Sequence, residues 1–204
     1  MKKDDCNSEA AKVSRREFLK ISSIAASVPL VTGPSILKIG GQDVELHGPG
    51  KSAMSFTVNG KKLNAALQPR VTLLDALREQ FQITGPKRVC DHGACGACTV
   101  LLGDKPVYAC SVLAVEAQNK PIITTEGLAP GNELHPVSQA FVENDAQQCG
   151  FCTPGFVMAT KAFLDKHPNA TLAEVAHGLG GNFCRCGTYD GIKRVATRGN
   201  TKQA

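Results

Sequence analysis

From Met54 the chain alternates apolar and polar residues: Met54, Phe56 and Val58 are separated by Ser55 and Thr57, and Asn59-Gly60 follows before Leu63. Period-two alternation closed by Asn-Gly predicts a β-hairpin, because one strand face meets a core and the turn needs residues that tolerate positive φ. The period changes at Thr72. Thr72-Leu73-Leu74-Asp75 has the form of a capping box, and Leu73, Leu74, Leu77 and Phe81 share one face of a helix running to about residue 82. Thr99 to Leu102, the Gly103-Asp104 turn and Pro106 to Ala109 predict a second hairpin, and Pro121 to Thr125 a last strand. Hairpin, helix, loop, hairpin and strand make an α+β unit.

Beyond about Pro130 the strand pattern stops and helical spacing takes over. Pro136 opens one helix carrying Val137, Ala140 and Phe141; Thr153-Pro154 caps and opens a second with Phe156, Val157, Phe163 and Leu164. Thr171 with Glu174 predicts a capping box at the head of a third, which stops at Gly180-Gly181, and a fourth runs from about Tyr189 to Arg198. The segment from about Thr32 to Lys51 is Gly/Pro-rich and shows no core of its own, so it is expected to be a linker or arm. These signals divide the chain into residues 1–33, a linker at 34–52, an α+β domain at 53–130, an all-α four-helix domain at 131–198 and a tail at 199–204.

Charge adds little to this division except at the start. The chain has a net charge of +5. It has no clustered Lys/Arg stripe with interleaved aromatics, and so no expected nucleic-acid partner. Within residues 1–32, Ser14-Arg15-Arg16-Glu17-Phe18-Leu19-Lys20 precedes a weakly apolar stretch from Ile21 to about Gly33. That is the form of a twin-arginine export signal, and the expected location is periplasmic. The stretch is too short and too interrupted to cross a bilayer as a helix, so no membrane span is expected. The competing reading is an amphipathic N-terminal helix with an incidental arginine pair.

The chemistry lies in the cysteines. Of the nine, eight fall into two sets of four: Cys90, Cys95, Cys98 and Cys110, then Cys149, Cys152, Cys184 and Cys186. The first set is spaced C-x4-C-x2-C with a fourth cysteine after eleven more residues, which is the plant-type 2Fe-2S spacing. Gly93 and Gly96 sit between its ligands, where a loop must wrap closely around an inorganic core. The second set, C-x2-C and then C-x-C after 31 residues, again has four thiols, enough for one cluster. Other readings remain open at this stage. Four thiolates also satisfy tetrahedral zinc, an exported protein can form disulfides, and Cys149-Gly150-Phe151-Cys152 ahead of a helix resembles the dithiol of a thiol oxidoreductase. That last reading leaves Cys184 and Cys186 unused. His92 is treated as a spectator, and Arg185, between two thiolates, as electrostatic support.

Three segments together are specific: Cys90-Asp-His-Gly-Ala-Cys-Gly-Ala-Cys-Thr-Val100, Gln148-Cys-Gly-Phe-Cys-Thr-Pro-Gly155 and Gly181-Asn-Phe-Cys-Arg-Cys-Gly-Thr-Tyr189. In this order, over about residues 53 to 198, they resemble the iron-sulfur small subunit of the xanthine dehydrogenase/aldehyde oxidoreductase family of molybdenum hydroxylases. The leader resembles that of the periplasmic aldehyde oxidoreductase small subunits. The resemblance implies a β-grasp ferredoxin domain holding one 2Fe-2S cluster on Cys90, Cys95, Cys98 and Cys110. It implies a helical domain holding a second on Cys149, Cys152, Cys184 and Cys186, with Gln148 and Cys186 close to the molybdopterin of a large partner subunit. Arg88-Val89 and His92 depart from the family's usual residues without removing a ligand.

The expected function is that of an electron-transfer subunit, passing electrons from molybdenum on one partner chain to FAD on another or to a cytochrome. The chain has no dinucleotide or phosphate-binding glycine motif and no acid/base constellation, so no substrate site or flavin of its own is expected. The alternative function is a free-standing periplasmic two-cluster ferredoxin.

Overall fold

The alternation at Met54 becomes an inner strand of a five-stranded sheet. A computed structural model describes residues 35–39, 42–129, 131 and 133–198; the expected leader at 1–33 and the tail at 199–204 lie outside the described residues. Within the expected linker there is a two-stranded antiparallel hairpin, β1 (Ser35–Ile39) and β2 (Gln42–Leu46), pairing Leu37 with Val44. The Gly/Pro content of the surrounding segment hid those two short strands. The hairpin belongs to a unit separate from residues 49 onward.

In the larger unit, β3 (Ser52–Val58) and β4 (Lys61–Leu67) form the first predicted hairpin. β5 (Thr99–Leu102) and β6 (Lys105–Tyr108) form the second, and β7 (Pro121–Ile123) lies between the two hairpins. The sheet order is β4-β3-β7-β5-β6, with β3 and β7 parallel and the other pairs antiparallel. Met54, Phe56 and Val58 turn one face of β3 inward onto Leu73, Leu74 and Leu77, all of them buried. This is the β-grasp arrangement expected from the resemblance.

The helix that the sheet clasps differs from expectation. One α turn, α1 (Leu73–Asp75), is capped by the Thr72 side chain accepting from the Asp75 N–H at 3.1 Å. A wider π turn then covers Ala76–Gln80, closed by the Phe81 N–H donating to the Ala76 carbonyl, so regular α-helix does not run to residue 82. Phe81 sits beside Phe56, the ring centroids 5.5 Å apart in an edge-to-face pair. The strands also end earlier than their apolar runs suggest. β6 gives way to a 3-10 turn at Ala109–Ser111 and β7 is followed by another at Thr125–Leu128.

Four helices follow among the described residues: α2 (Pro136–Glu143), α3 (Thr153–Leu164), α4 (Leu172–Gly178) and α5 (Tyr189–Arg198). The box at Thr171 and Glu174 is complete in both directions. Thr153 does not cap α3. Cys152 holds the cap position, and the buried Thr153 hydroxyl is helical and has no hydrogen-bond partner. His135 caps α2, its Nδ1 accepting from the Val137 N–H at 3.2 Å. No described helix is long and apolar enough to cross a membrane.

β5 joins the two lobes. Val100 enters the core under the sheet, while its neighbour Leu101 enters the helical core with Phe141, Phe156, Val157, Met158, Ile192 and Val195. A strand buried on both faces needs the unbroken apolar run Val100-Leu101-Leu102, not an alternating one. Leu101→Ala is expected to cost about 2–5 kcal/mol of stability, as cavity-forming leucine truncations do. Chemical unfolding should show the loss as a lower midpoint; a change below about 1 kcal/mol would contradict the shared-strand account.

Candidate iron-sulfur sites

The first four cysteines are gathered by a loop and a turn. Cys90, Cys95 and Cys98 lie on the loop between α1 and β5, and Cys110 is in the 3-10 turn after β6. The Cys98 and Cys110 sulfurs are 3.5 Å apart and both are buried, while Cys90 and Cys95 interact with each other in the half-buried part of the loop. Backbone donors already point at sulfur: the Gly93 N–H at Cys110 Sγ (3.2 Å) and the Ala94 N–H at Cys90 Sγ (3.3 Å). Burial alone would raise the Cys90 thiol, yet the backbone N–H groups around it and the Cys95 side chain hold it at about 6. Cys98 is pushed up to about 12, chiefly by burial and further by Cys110 and Cys95.

The second four come from helix ends. Cys149 and Cys152 precede and cap α3; Cys184 and Cys186 lie between α4 and α5. They too lie close enough to shift one another's thiols, most directly Cys152 with Cys184 and Cys149 with Cys186. Burial and the neighbouring Cys184 raise Cys152 to about 12. Cys184 is held at about 7 because hydrogen bonds from Thr188 and other donors outweigh its burial. Crowded thiols cannot all ionise against one another, so each set fits a positively charged centre that takes up their charge. Among the described residues no three side chains converge as a single bound ion requires. Two neighbouring pairs per set suit a centre with two metal atoms, each taking one pair, as in a 2Fe-2S cluster.

The two ligand loops are bonded to each other. The Phe183 N–H donates to the Cys95 carbonyl at 3.0 Å, and the buried Asn182 amide donates to the Gly96 carbonyl (2.9 Å) and to the Thr99 hydroxyl (3.3 Å). Gly96 has φ +69, and a Cβ there would lie 2.6 Å from the Asn182 side chain, so only glycine fits. Gly155 lets the first turn of α3 approach the same loop, since its Cβ would fall 2.3 Å from the Gly96 carbonyl oxygen. Tyr108 completes the seam, donating to the Gly181 carbonyl at 2.7 Å.

The other expected residues are peripheral. Gln148 is exposed beside Cys149. His92 Nδ1 lies against the Cys90 carbonyl, and Arg88 is ion-paired to Asp75 and Glu79.

Known proteins match both lobes. Residues 56–122 match the 2Fe-2S iron-sulfur cluster binding domain family, and residues 124–197 match the 2Fe-2S binding domain family. The iron-sulfur-binding subunit PaoA of aldehyde oxidoreductase from Escherichia coli O157:H7 is 38% identical over 197 residues, covering 88% of this chain and 85% of that protein. The chain belongs to the iron-sulfur small subunits of the molybdenum hydroxylases. The small FeS subunit of nicotinate dehydrogenase from Eubacterium barkeri is another member, 42% identical over 68% of this chain and 88% of its own length. A solved chain of quinoline 2-oxidoreductase from Pseudomonas putida 86 superposes with a TM-score of 0.69 at 39% identity, covering 71% of this chain and 90% of that one.

Asn182, Gly155 and Tyr108 were not singled out from sequence. Gly155 and Asn182 appeared only as members of motifs, and the contact across 86 positions that gives Asn182 its role has no local signature. Asn182→Ala is expected to cost about 1–3 kcal/mol, because it removes the donor to a buried carbonyl. Thermal unfolding of the holoprotein measures it; an unchanged midpoint would show that the amide does not hold the seam.

Proposed function

We propose that this chain carries electrons out of a molybdenum-containing partner through two 2Fe-2S clusters, one on Cys90, Cys95, Cys98 and Cys110 and one on Cys149, Cys152, Cys184 and Cys186. A bound 2Fe-2S cluster supplies one-electron redox chemistry. The observation that carries the proposal is the pairing of four thiols at each of two places whose loops share the Phe183–Cys95 hydrogen bond. The chain's own residues supply the ligands, aim N–H groups at sulfur and fix the separation of the two sites through Asn182.

The helical lobe is the side for the partner. Cys149 and Cys186 are exposed, and Phe151, Phe183 and Tyr189 around them are 53%, 57% and 37% exposed. An apolar collar about exposed ligands suits a surface covered in a complex. In this proposal Gln148 and Cys186 face the molybdopterin of the large subunit. The ferredoxin lobe delivers electrons to FAD on a further subunit or to a cytochrome. The Arg15-Arg16 motif supports twin-arginine export of the folded chain to the periplasm.

Purification from the native host, with iron, molybdenum and flavin quantified, tests the assembly. About four irons per chain are expected, together with a molybdenum-containing partner; the same iron with no partner would instead make this a free-standing carrier. Cys186→Ser should remove or alter the electron paramagnetic resonance signal of one cluster only. Loss of both signals, or of neither, would overturn the division of ligands.

A further inference from the structure

We infer that the Thr188 hydroxyl sets the reduction potential of the helical-lobe cluster by hydrogen bonding to the Cys184 sulfur. The inference rests on the ligand assignment proposed above and adds a residue outside the ligand set. Thr188 Oγ1 lies 3.2 Å from Cys184 Sγ. The corresponding hydroxyl in the ferredoxin lobe, Ser111 Oγ beside Cys110 Sγ, is at 3.7 Å. A sulfur bonded to iron has no proton to give, so the hydroxyl is the donor and the sulfur the acceptor.

The turn from Gly187 to Tyr189 folds back on Cys184 from two directions. While the Thr188 side chain meets the sulfur, the Cys184 N–H donates to the Tyr189 hydroxyl at 2.9 Å. Both arms are anchored. The Thr188 carbonyl accepts from the Ile192 N–H at 3.1 Å in the first turn of α5, and the Tyr189 ring meets Phe156 edge-on, centroids 6.3 Å apart. Cys184 is 7% exposed and Thr188 half-buried, so water competes weakly for this bond. Cys149 and Cys186, at the other side of the same set, are open to solvent or to a partner.

An added electron makes the cluster and its sulfur ligands more negative. A donor at one of those sulfurs then stabilises the reduced form more than the oxidised form and raises the potential. No proton leaves Thr188 in this account. The hydroxyl acts by position, through Cys184, and takes no part in ligation.

Redox titration of the holoprotein complex, followed by electron paramagnetic resonance of each cluster, tests this in Thr188→Val, Thr188→Ala and Thr188→Ser. Valine keeps the shape and loses the hydroxyl; alanine loses it without a branched replacement. Both are expected to shift the helical-lobe equilibrium about tenfold toward the oxidised form, about 59 mV for a one-electron couple. Serine should restore most of the shift, and the ferredoxin-lobe midpoint should stay fixed. Unchanged midpoints in valine and alanine, with both signals present, overturn the role of Thr188 and leave the ligand assignment standing. Loss of the helical-lobe cluster from both variants also overturns it, since a group that only sets a potential is not needed for ligation. A native protein with no second cluster signal overturns the ligand assignment itself.

Discussion

The seam between the Cys95–Cys98 loop and the Gly181–Cys184 segment is the contact on which the rest of the molecule depends. Two cysteine-bearing loops from different lobes are joined there by a main-chain hydrogen bond, Phe183 to Cys95, and by the buried amide of Asn182 to Gly96 and Thr99. A buried carbonyl that loses its donor pays its full desolvation cost, so these bonds resist separation of the lobes more than their net strength suggests. Gly96 and Gly155 make the approach close enough, because a side chain at either would collide with the opposite loop. The separation of the two cysteine sets is therefore fixed by packing across this seam.

Electrostatics at each set is unfavourable without metal. Neighbouring thiols divide into members held low, such as Cys90 and Cys184, and members pushed high by burial, such as Cys98 and Cys152. The fold invests in those positions anyway, with backbone N–H groups and the Thr188 hydroxyl already directed at sulfur. That arrangement suits negative sulfur held by a cationic centre.

The two lobes present their sites differently. Cys98 and Cys110 lie within the hydrophobic core under the sheet, whereas Cys149 and Cys186 are exposed among Phe151, Phe183 and Tyr189. A carrier that receives electrons from a large partner benefits from this asymmetry, since exposed ligands ringed by apolar side chains permit close approach and exclusion of water.

The sequence by itself determined the local elements and the donors. Alternation around Phe56 made a strand and Thr171 with Glu174 made a capping box, because each of these signals operates over a few residues, and cysteine spacing grouped eight thiols into two sets. It was less reliable where a short-range pattern competed with packing: the regular helix expected to about residue 82 becomes a π turn at Ala76–Gln80, and Thr153 lies inside its helix instead of capping it. Only the tertiary structure decided which thiols pair, that Leu101 serves the helical core, and that Asn182 bridges the lobes and Thr188 serves Cys184. Those relations depend on backbone segments meeting across a buried seam or folding back around a turn, and the direction of a side chain there is set by its surroundings and not by its neighbours in sequence.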